Sequence, residues 1–530
     1  MRSLFRSTFV ALIAAAAMLL APAALAQSTP QGGIVRIALP SQPETLNPVL
    51  IGELSSSIVY GALFTPLTRM HPSTYAIEPY LATSWEHNED LTEWTFHLHR
   101  EARWHDGVPV TAHDVKFTIE RIMDPSQSAA NFRDVQDVVR VDAIDDHTVR
   151  FVLGSPNGLF PDLLSLGSLE PLPMHLFEGF ERLTDAVELN IRRPVGSGPF
   201  RFRSAEAGSY IELEANPDFF LGRPNVDGLR FTIIPDTNVR VARIRAGDLD
   251  WTDIDAVHIA SLQNSPSINL VSAGSTRYQV LDLGYRGPFN HLWADPRVRI
   301  AMNHAVDKEL ILESVALGHG EIMGPQLVPG WIEWVPRVEM EAYGYDPERA
   351  RELMAEAGWT PNADGILEKD GETFSFYLLV DRGATEREQI GLAVVDMLGQ
   401  IGMDVEYLLA ERTGRWIEEV RADIFPARMT EHPTPHPIWY MRIFHSNGVF
   451  NRGYSNPTAD AYLDQVLLTA DREEQGRLFQ QAQEAMYREP VNVTFHLRDQ
   501  VMAVNPNLQG VQGEIKLSMA YSNELYFSNR

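Results

Sequence analysis

The most unusual chemistry in this sequence lies in residues 431–437, Glu-His-Pro-Thr-Pro-His-Pro. The prolines exclude a regular helix, so His432 and His436 are expected to project from an extended or turned loop. Neutral imidazole is the commonest metal ligand in proteins, which makes both histidines weak candidates for a metal or metal-chelate site. Two histidines without a clear third ligand make an incomplete site, so polar groups of a cleft or of the surface are the other interpretation.

Aromatic and charged residues elsewhere are candidate ligand contacts. Trp439 follows the histidine segment, and Trp331 and Trp334 lie in a loop between two predicted helices. Indole rings in turns commonly line clefts, with core packing as the alternative. Arg382 follows a predicted strand, and its guanidinium suits a carboxylate, with an exposed rim charge as the alternative. The candidate substrate-binding residues are Glu431, His436, Trp439, Arg382, Trp334 and Trp331.

The sequence lacks the motifs of common enzymes. There is no phosphate-binding G-x-x-x-x-G-K-[ST], no G-x-G-x-x-G after a strand and no H-E-x-x-H. The absence of cysteine excludes disulfides, cysteine-ligated metals and thiol nucleophiles. Paired carboxylates such as Asp248 and Asp250 lie in hydrophilic turns. We therefore predict a protein that is not an enzyme, with no catalytic residue and no cofactor.

Residues 1–26 are typical of a secretory signal peptide. Arg2 and Arg6 precede a short apolar run over 9–20, and the small-x-small sequence ending at Ala26 predicts cleavage after that residue. A transmembrane anchor is the alternative, but the run is too short for the bilayer and Pro22 interrupts it. The sequence also lacks a cysteine for lipid attachment, so we expect a free periplasmic protein.

The net charge and the length of the chain further restrict the class of protein and its number of domains. A formal net charge of −27 argues against nucleic acid as a partner, because phosphates require a basic surface. About five hundred residues after the leader exceed what a single hydrophobic core normally supports, so two or three domains are expected.

Residues 93–98 read as a strand with one apolar face, because Trp94, Phe96 and Leu98 alternate with polar neighbours. The Asp-Gly pair at 106–107 predicts a turn after it. Further strands are expected over 34–39, 149–153, 200–202, 210–214, 229–234, 374–380, 401–405 and 491–497, and helices over 58–67 and 389–398.

Aspartates mark the start of most predicted helices. Each precedes an apolar stripe of helical period, in the position where a side-chain oxygen caps the first backbone N–H groups. The predicted N-caps are Asp114, Asp295, Asp307, Asp346 and Asp471.

The residue patterns of these segments resemble those of a known protein family. The phrase W-x-F-x-L…W-H-D-G-x-P-V-T-A-x-D-V at 94–115 resembles the signature of family 5 of the extracytoplasmic solute-binding proteins, the dipeptide, oligopeptide and nickel group serving ABC transporters. Further blocks at 63–69, 195–200, 236–250, 295–307 and 345–359 occur in the order of that family. The resemblance covers essentially the whole chain after the leader.

The resemblance implies an α/β fold: the two-lobed periplasmic binding protein fold with an extra inserted subdomain, mixed sheets and a ligand cleft between the lobes. Lobe 1 is expected to comprise 27–69, 199–289 and 495–530, with the inserted subdomain over 70–198. Residues 290–494 are expected to form lobe 2.

The implied function is capture of a small solute by hinge closure and its delivery to an ABC permease and its ATPase. A short peptide or amino-acid-like compound is the first expectation, with opines, oligosaccharides and a metal chelate as open alternatives, and a monomer is expected. The alternatives are a non-transport peptide-binding chaperone or ligand sensor using the same cleft, or a nickel or metal-chelate binding member.

Two candidate residues and two departures follow from the same resemblance. Glu431 is the approximate match to an aspartate that peptide-binding members use for the ligand ammonium. Arg382 stands where dipeptide-binding members often carry an arginine for the ligand carboxylate. His99 replaces a usual basic residue, and Leu283 replaces an asparagine, which weakens a generic oligopeptide assignment.

Overall fold

Two mixed β-sheets organise the chain in this computed structural model. The structure describes residues 31–50, 53–129, 131–165, 167, 169–273, 277–328, 332–410, 425–433, 436–448, 451–513 and 515–529. Within these ranges, no helix is long and apolar enough to cross a membrane.

The first sheet has seven strands and includes both early and late parts of the chain. Ile34–Leu39 runs parallel to Gly228–Ile233 over six residue pairs. The strand order is Asn269–Ala273, Gln500–Val504, Trp251–Ile254, Ile34–Leu39, Gly228–Ile233, Tyr210–Ala215 and Phe200–Glu206.

The second sheet has six strands. Its faces are both covered, because Leu281 joins the apolar cluster on one side and its neighbour Val280 joins the cluster on the other. The strand order is Gly320–Ile322, Val493–Arg498, Arg277–Leu283, Ala427–Pro433, Ser375–Asp381 and Asp404–Ala410.

A four-stranded antiparallel sheet forms the core of the inserted subdomain. Helix Ala112–Met123 packs against two of its strands. The strand order is Ala82–His87, Glu93–Leu98, Thr148–Leu153 and Val138–Asp145. Smaller sheets pair Thr68–Met70 with Ile77–Pro79, Leu508–Gln509 with Tyr526–Phe527, and Thr360–Pro361 with Leu367–Lys369 and Glu372–Thr373.

The α-helices surround these sheets. Their bounds are Leu54–Leu63, Ala112–Met123, Phe160–Leu163, Met174–Phe177, Thr237–Ala246, Ala256–Leu262, Asn290–Trp293, Pro296–Ala305, Lys308–Val315, Pro347–Glu356, Thr385–Gln400, Ile438–Ile443, Pro457–Leu467, Arg472–Arg488 and Ile515–Ser518.

A two-stranded antiparallel ribbon joins the two large sheets. Asn269–Ala273 pairs with Gln500–Val504 in the first sheet, and the same two chain segments continue as Arg277–Leu283 and Val493–Arg498 in the second. The chain therefore leaves the first sheet after Ala273 and returns to it at Gln500. We call these two strand pairs the hinge ribbon, since they flank both crossings of the chain between the lobes.

The hinge ribbon corrects two predicted domain boundaries. Residues 277–289 and 495–498 were assigned to lobe 1, but Arg277–Leu283 and Val493–Arg498 pair within the second sheet. By sheet membership, lobe 2 therefore extends from 277 to 498. The error has a physical cause: at each crossing only a few residues separate one apolar strand from the next, so the sequence resembles a short turn within one lobe. The remaining boundaries stay predictions.

Most predicted helix starts are confirmed. Asp295, Asp307, Asp346 and Asp471 are N-caps whose carboxylates accept backbone N–H hydrogen bonds. Asp114 as N-cap is wrong. Thr111 caps that helix, and Asp114 lies at the third helical position, where its Oδ2 accepts a 2.8 Å hydrogen bond from the Thr111 N–H.

The predicted strand Ile34–Leu39 is observed with the same bounds, whereas both predicted helices differ in extent. The helix predicted over 58–67 spans Leu54–Leu63, because Glu53 caps it earlier and the residues before Pro66 are biased away from helix. The helix predicted over 389–398 extends to Thr385–Gln400.

His105 joins two of the sequence motifs. Its Nδ1 accepts a hydrogen bond from the Gly196 N–H, and its Nε2 donates to the Gly198 carbonyl, both at 3.1 Å. Only glycine fits at these positions, because a Cβ on Gly196 would lie 1.9 Å from the Leu63 carbonyl oxygen and one on Gly198 would lie 2.6 Å from that of Ala62. The neutral ring therefore fastens the turn at His105 to the glycine segment that leads into strand Phe200–Glu206 of the first sheet.

This contact predicts a pH-dependent stability. Burial lowers the pKa of His105 to about 4, so between that value and its ordinary 6.5 the unfolded chain binds the additional proton. The contribution of His105 should therefore fall as pH decreases from 6.5 to 4, by at most about 1.4 kcal/mol per pH unit. Denaturant unfolding of the native protein and His105→Gln across this range measures it.

The free-energy difference between native protein and His105→Gln should shrink as pH falls. His113→Gln, at a half-exposed histidine on the same subdomain, is the control. A difference for His105→Gln that stays constant from pH 7 to pH 4.5 contradicts the assignment.

Candidate functional site

A cavity of about 370 Å³ lies where the two large sheets meet. Asp255 and the start of the following helix provide its wall from lobe 1. Gln279 and the beginning of helix Thr385–Gln400 provide its wall from lobe 2, and Arg498 and Asp499 of the hinge ribbon lie between them. Any rotation of one lobe relative to the other changes the shape of this cavity.

Ion pairs cross the hinge along the cavity wall. Arg498 contacts Asp255 of lobe 1 at 3.2 Å and Glu386 of lobe 2 at 3.5 Å. The Oε1 atom of Glu386 also lies 2.9 Å from the Nε2 atom of His496. Burial opposes ionisation of Glu386, but His496 and Arg498 outweigh it and lower its pKa. The wall therefore presents charges of both signs that link the lobes.

A second set of polar side chains, on two paired strands of lobe 2 and on the adjacent helix, lies at the same cavity. Gln279 and Glu431 are direct cross-strand neighbours. Glu431 is held by Arg277 at 2.9 Å and by Arg387 at 3.4 Å. Gln279 is 1% exposed, and its Oε1 and the Nε of Arg387 have no hydrogen-bond partner among the described residues.

Such buried, unpaired groups are uncommon in folded proteins. An acceptor and a donor that both lack partners and both line one cavity suit a polar occupant. Arg387 and Arg498 offer donors to a carboxylate, whereas Gln279 Oε1 and the neighbouring carboxylates offer acceptors to an ammonium or amide. The arrangement can therefore bind a small zwitterionic or acidic molecule.

His432 lies on the opposite face of the second sheet, inside lobe 2. It is buried, and its Nε2 lies 2.8 Å from Asp282, which Arg452 also contacts at 3.2 Å. Burial would raise the pKa of Asp282, but His432 and Arg452 outweigh it and lower that pKa to about 2. These contacts hold His432 in a network within the lobe.

His436 and Trp334 come together at a different place, the contact between lobe 2 and the inserted subdomain. His436 is fully buried, and its Nε2 lies 2.7 Å from Asp162. The ring centroids of Trp334 and His436 are 5.8 Å apart, and the Arg472 guanidinium lies 4.5 Å from the Trp334 ring. Among the described residues, no three His, Cys, Asp or Glu side chains form a group that could hold a metal ion.

The other sequence candidates are dispersed. Trp439 is half-buried against the apolar cluster shared by lobe 1 and the inserted subdomain, with the Arg442 guanidinium 4.7 Å from its ring. Arg382 is exposed on the turn after Ser375–Asp381, next to but not among the residues that line the cavity. Trp331 lies outside the described residues. Glu431 contacts Arg387, which lines the hinge cavity.

Sequence reasoning missed Gln279, Arg387, Arg498 and Asp255. Each resembles an ordinary surface polar residue when read alone. A signal was present at Gln279, a polar residue between apolar neighbours in a strand buried on both faces. Another was present at Arg498 and Asp499, charged residues that interrupt two consecutive apolar strands.

The network around His432 gives a prediction about stability. Asp282→Asn removes the buried carboxylate that Arg452 and His432 contact, so we expect the free energy of unfolding to fall by about 3–5 kcal/mol. Asp464→Asn is a matched control, because Asp464 also pairs with a histidine, His445 at 3.0 Å, but is 65% exposed. That change should cost below about 1 kcal/mol. Chemical denaturation measures both, and equal effects would contradict the structural role of His432.

Comparison with known proteins identifies the family. The profile of the bacterial extracellular solute-binding proteins, family 5 Middle, matches residues 76–451. The oligopeptide-binding protein AppA of Bacillus subtilis is 28% identical over 491 residues, which cover 91% of this chain and 89% of AppA. Heme-binding protein A of Haemophilus influenzae is also 28% identical, over 83% of each chain.

Solved structures agree on the fold. AppA of Bacillus subtilis in complex with a nonapeptide has a TM-score of 0.79 and 26% identity, covering 94% of this chain and 99% of that one. NikZ of Campylobacter jejuni in complex with Ni(L-His) has a TM-score of 0.78 at 23% identity, covering 93% and 99%. These neighbours have two lobes, as here. With the family profile matching more than half of its residues, the chain belongs to the bacterial extracellular solute-binding proteins, family 5.

Proposed function

We propose that this protein captures a small solute in the hinge cavity and presents it to the permease of an ABC transporter. One observation carries the proposal: both lobes and the hinge ribbon line a single cavity that contains a buried acceptor and a buried donor without hydrogen-bond partners in the part of the chain that the structure describes. A solute that satisfies both lobes favours the closed arrangement and shifts the population toward it. The relatives described as ABC transporter peptide-binding proteins support this assignment.

The solute is a short peptide or an amino-acid-like compound with a carboxylate. Its carboxylate pairs with Arg387, whose Nε points to no described partner, and its ammonium or amide pairs with Gln279 Oε1. The cavity volume of about 370 Å³ falls within the usual range of small-molecule sites. Glu431 balances the charge of Arg387 before the solute arrives.

The protein acts in the periplasm as a monomer, after cleavage following Ala26. The name of the family describes its members as extracellular, which supports a location outside the cytoplasm. Its partners are the solute, the permease and the associated ATPase.

Native mass spectrometry of the protein as purified tests the function. We expect a retained non-covalent adduct of amino-acid to short-peptide mass, which disappears after unfolding and refolding. Thermal denaturation of the emptied protein with a panel of amino acids, dipeptides and opines then identifies the class, since a ligand that binds the native state raises the melting temperature. Absence of both an adduct and any stabilising compound in the panel contradicts the proposal.

Substitution of Arg387 tests the site. Arg387→Gln removes the cation but leaves Glu431 paired with Arg277, so the fold should persist. We expect the dissociation constant for the best panel compound to rise about ten- to hundredfold, as for loss of a charged hydrogen bond. Calorimetric titration measures this change.

Arg382→Gln is the matched control for that substitution. It removes an arginine five residues earlier, on the exposed turn outside the cavity lining, and should leave affinity unchanged. If Arg382→Gln weakens binding as much as Arg387→Gln, or if Arg387→Gln has no effect, the carboxylate does not bind at Arg387.

A further inference from the structure

Asp499 occupies the point at which the chain returns from lobe 2 to lobe 1. It is the single residue between strand Val493–Arg498 of the second sheet and strand Gln500–Val504 of the first. It is half-buried and lines the hinge cavity. Because it belongs to the crossing itself, a rotation of the lobes about the hinge ribbon displaces Asp499 less than residues farther from the crossing. It therefore faces the cavity in a nearly constant position.

The other charged side chains that line this cavity have ion-pair partners. Arg498 contacts Asp255 at 3.2 Å and Glu386 at 3.5 Å. Arg387 contacts Glu431 at 3.4 Å. These charges therefore neutralise one another within the protein, and none of the four lining residues among them requires a further counter-charge.

Asp499 differs from these residues. Its carboxylate has no hydrogen bond and no ion pair with any residue that the structure describes. The cavity is lined by three carboxylates, Asp255, Glu386 and Asp499, and by two guanidinium groups, Arg387 and Arg498. One negative charge is therefore in excess among the lining residues. Enclosing a carboxylate without a counter-charge is energetically costly, so a solute that closes this cavity must compensate for Asp499.

A buried amide oxygen provides a second acceptor at the same cavity. Gln279 is 1% exposed, and its Oε1 has no hydrogen-bond partner among the described residues. The Nε of Arg387 is a buried donor in the same condition. Leaving such groups unsatisfied costs free energy. The unmatched groups comprise two acceptors, one of them charged, and one donor.

These three groups define the complement that a solute must carry. A carboxylate satisfies Arg387 Nε, an N–H group satisfies Gln279 Oε1, and a cation satisfies Asp499. We infer that Asp499 selects solutes of net positive charge, namely basic amino acids and short peptides with a basic side chain. This inference rests on the proposed function and names the class of its solute.

Charge balance distinguishes a basic solute from a neutral zwitterion. The ammonium of a neutral zwitterion can pair with Asp499, but its carboxylate adds a negative charge beside Arg387, which Glu431 already neutralises. The closed cavity then keeps its excess negative charge. A solute of net charge +1 removes that excess, and exclusion of water strengthens the preference because charges interact more strongly at lower dielectric. Asp499 thus narrows the zwitterionic or acidic solutes that Arg387 alone accepts to basic ones.

Matched pairs of solutes test the inference in the native protein. Lysine and norleucine have the same side-chain carbon skeleton and differ by one terminal ammonium, and alanyl-lysine and alanyl-norleucine repeat the comparison in dipeptides. Calorimetric titration of the full-length mature protein, unfolded and refolded to remove any retained solute, measures the dissociation constants. We expect the basic member of a pair to bind about ten- to hundredfold more tightly, as for gain of a charged hydrogen bond.

Asp499→Asn assigns this preference to its residue. The substitution removes the charge with little change of shape, so the basic member should bind more weakly while the neutral member keeps its affinity. Glu321→Gln is the matched control. Glu321 is an exposed carboxylate on strand Gly320–Ile322, which pairs with Val493–Arg498, and it does not line the cavity. It removes the same charge from the surrounding field, so the preference should persist.

The outcomes separate this inference from the proposed function. A preference for the basic member that Asp499→Asn abolishes and Glu321→Gln retains supports the inference. Equal affinities within the pairs, tighter binding of the neutral member, or a preference that survives in Asp499→Asn overturns it, while capture of a small solute still stands. If no member of either pair and no compound of the earlier panel binds, the inference and the proposed function are both contradicted.

Discussion

The hinge ribbon is the constraint on which the rest of the structure depends. Asn269–Ala273 pairs with Gln500–Val504, and Arg277–Leu283 pairs with Val493–Arg498, so the strands that flank the two chain crossings between the lobes are paired with each other in both sheets. A narrow ribbon of this kind bends and twists more readily than it stretches, so the lobes can rotate while the hinge end of the cleft remains fixed. The cavity that contains Gln279 and Arg498 forms at this fixed end.

Much of the local structure could be predicted from sequence because its causes are local. Aspartates followed by an apolar stripe start helices at Asp295, Asp307 and Asp346 through hydrogen bonds within three residues. The error at Asp114 is also local, since Thr111 and Asp114 can each occupy the capping position and the sequence does not choose between them. The two-lobed fold followed from several family blocks in order rather than from periodicity.

The candidate site could not be predicted to the same degree, because it is assembled from residues distant in the chain. Arg387 and Glu431 lie on different elements, and Asp255 and Arg498 are separated by the whole of lobe 2. His432 and His436 show the converse: they are four residues apart in sequence, yet one is paired inside lobe 2 and the other faces the inserted subdomain. Their proximity in sequence suggested a shared site, but the fold places the two histidines in different contacts.

Both ends of the contact between the lobes contain buried polar side-chain atoms that lack a hydrogen bond among the described residues. At the hinge these atoms are Gln279 Oε1 and Arg387 Nε, and beside the inserted subdomain they include Asp162 Oδ1 and Arg442 Nη2. These groups are side chains, whereas the backbone pairing of the two sheets holds the lobes in register. Their chemistry can therefore change without loss of the two-lobed fold. This gives a physical reason why one fold can serve relatives described as binding oligopeptide and heme.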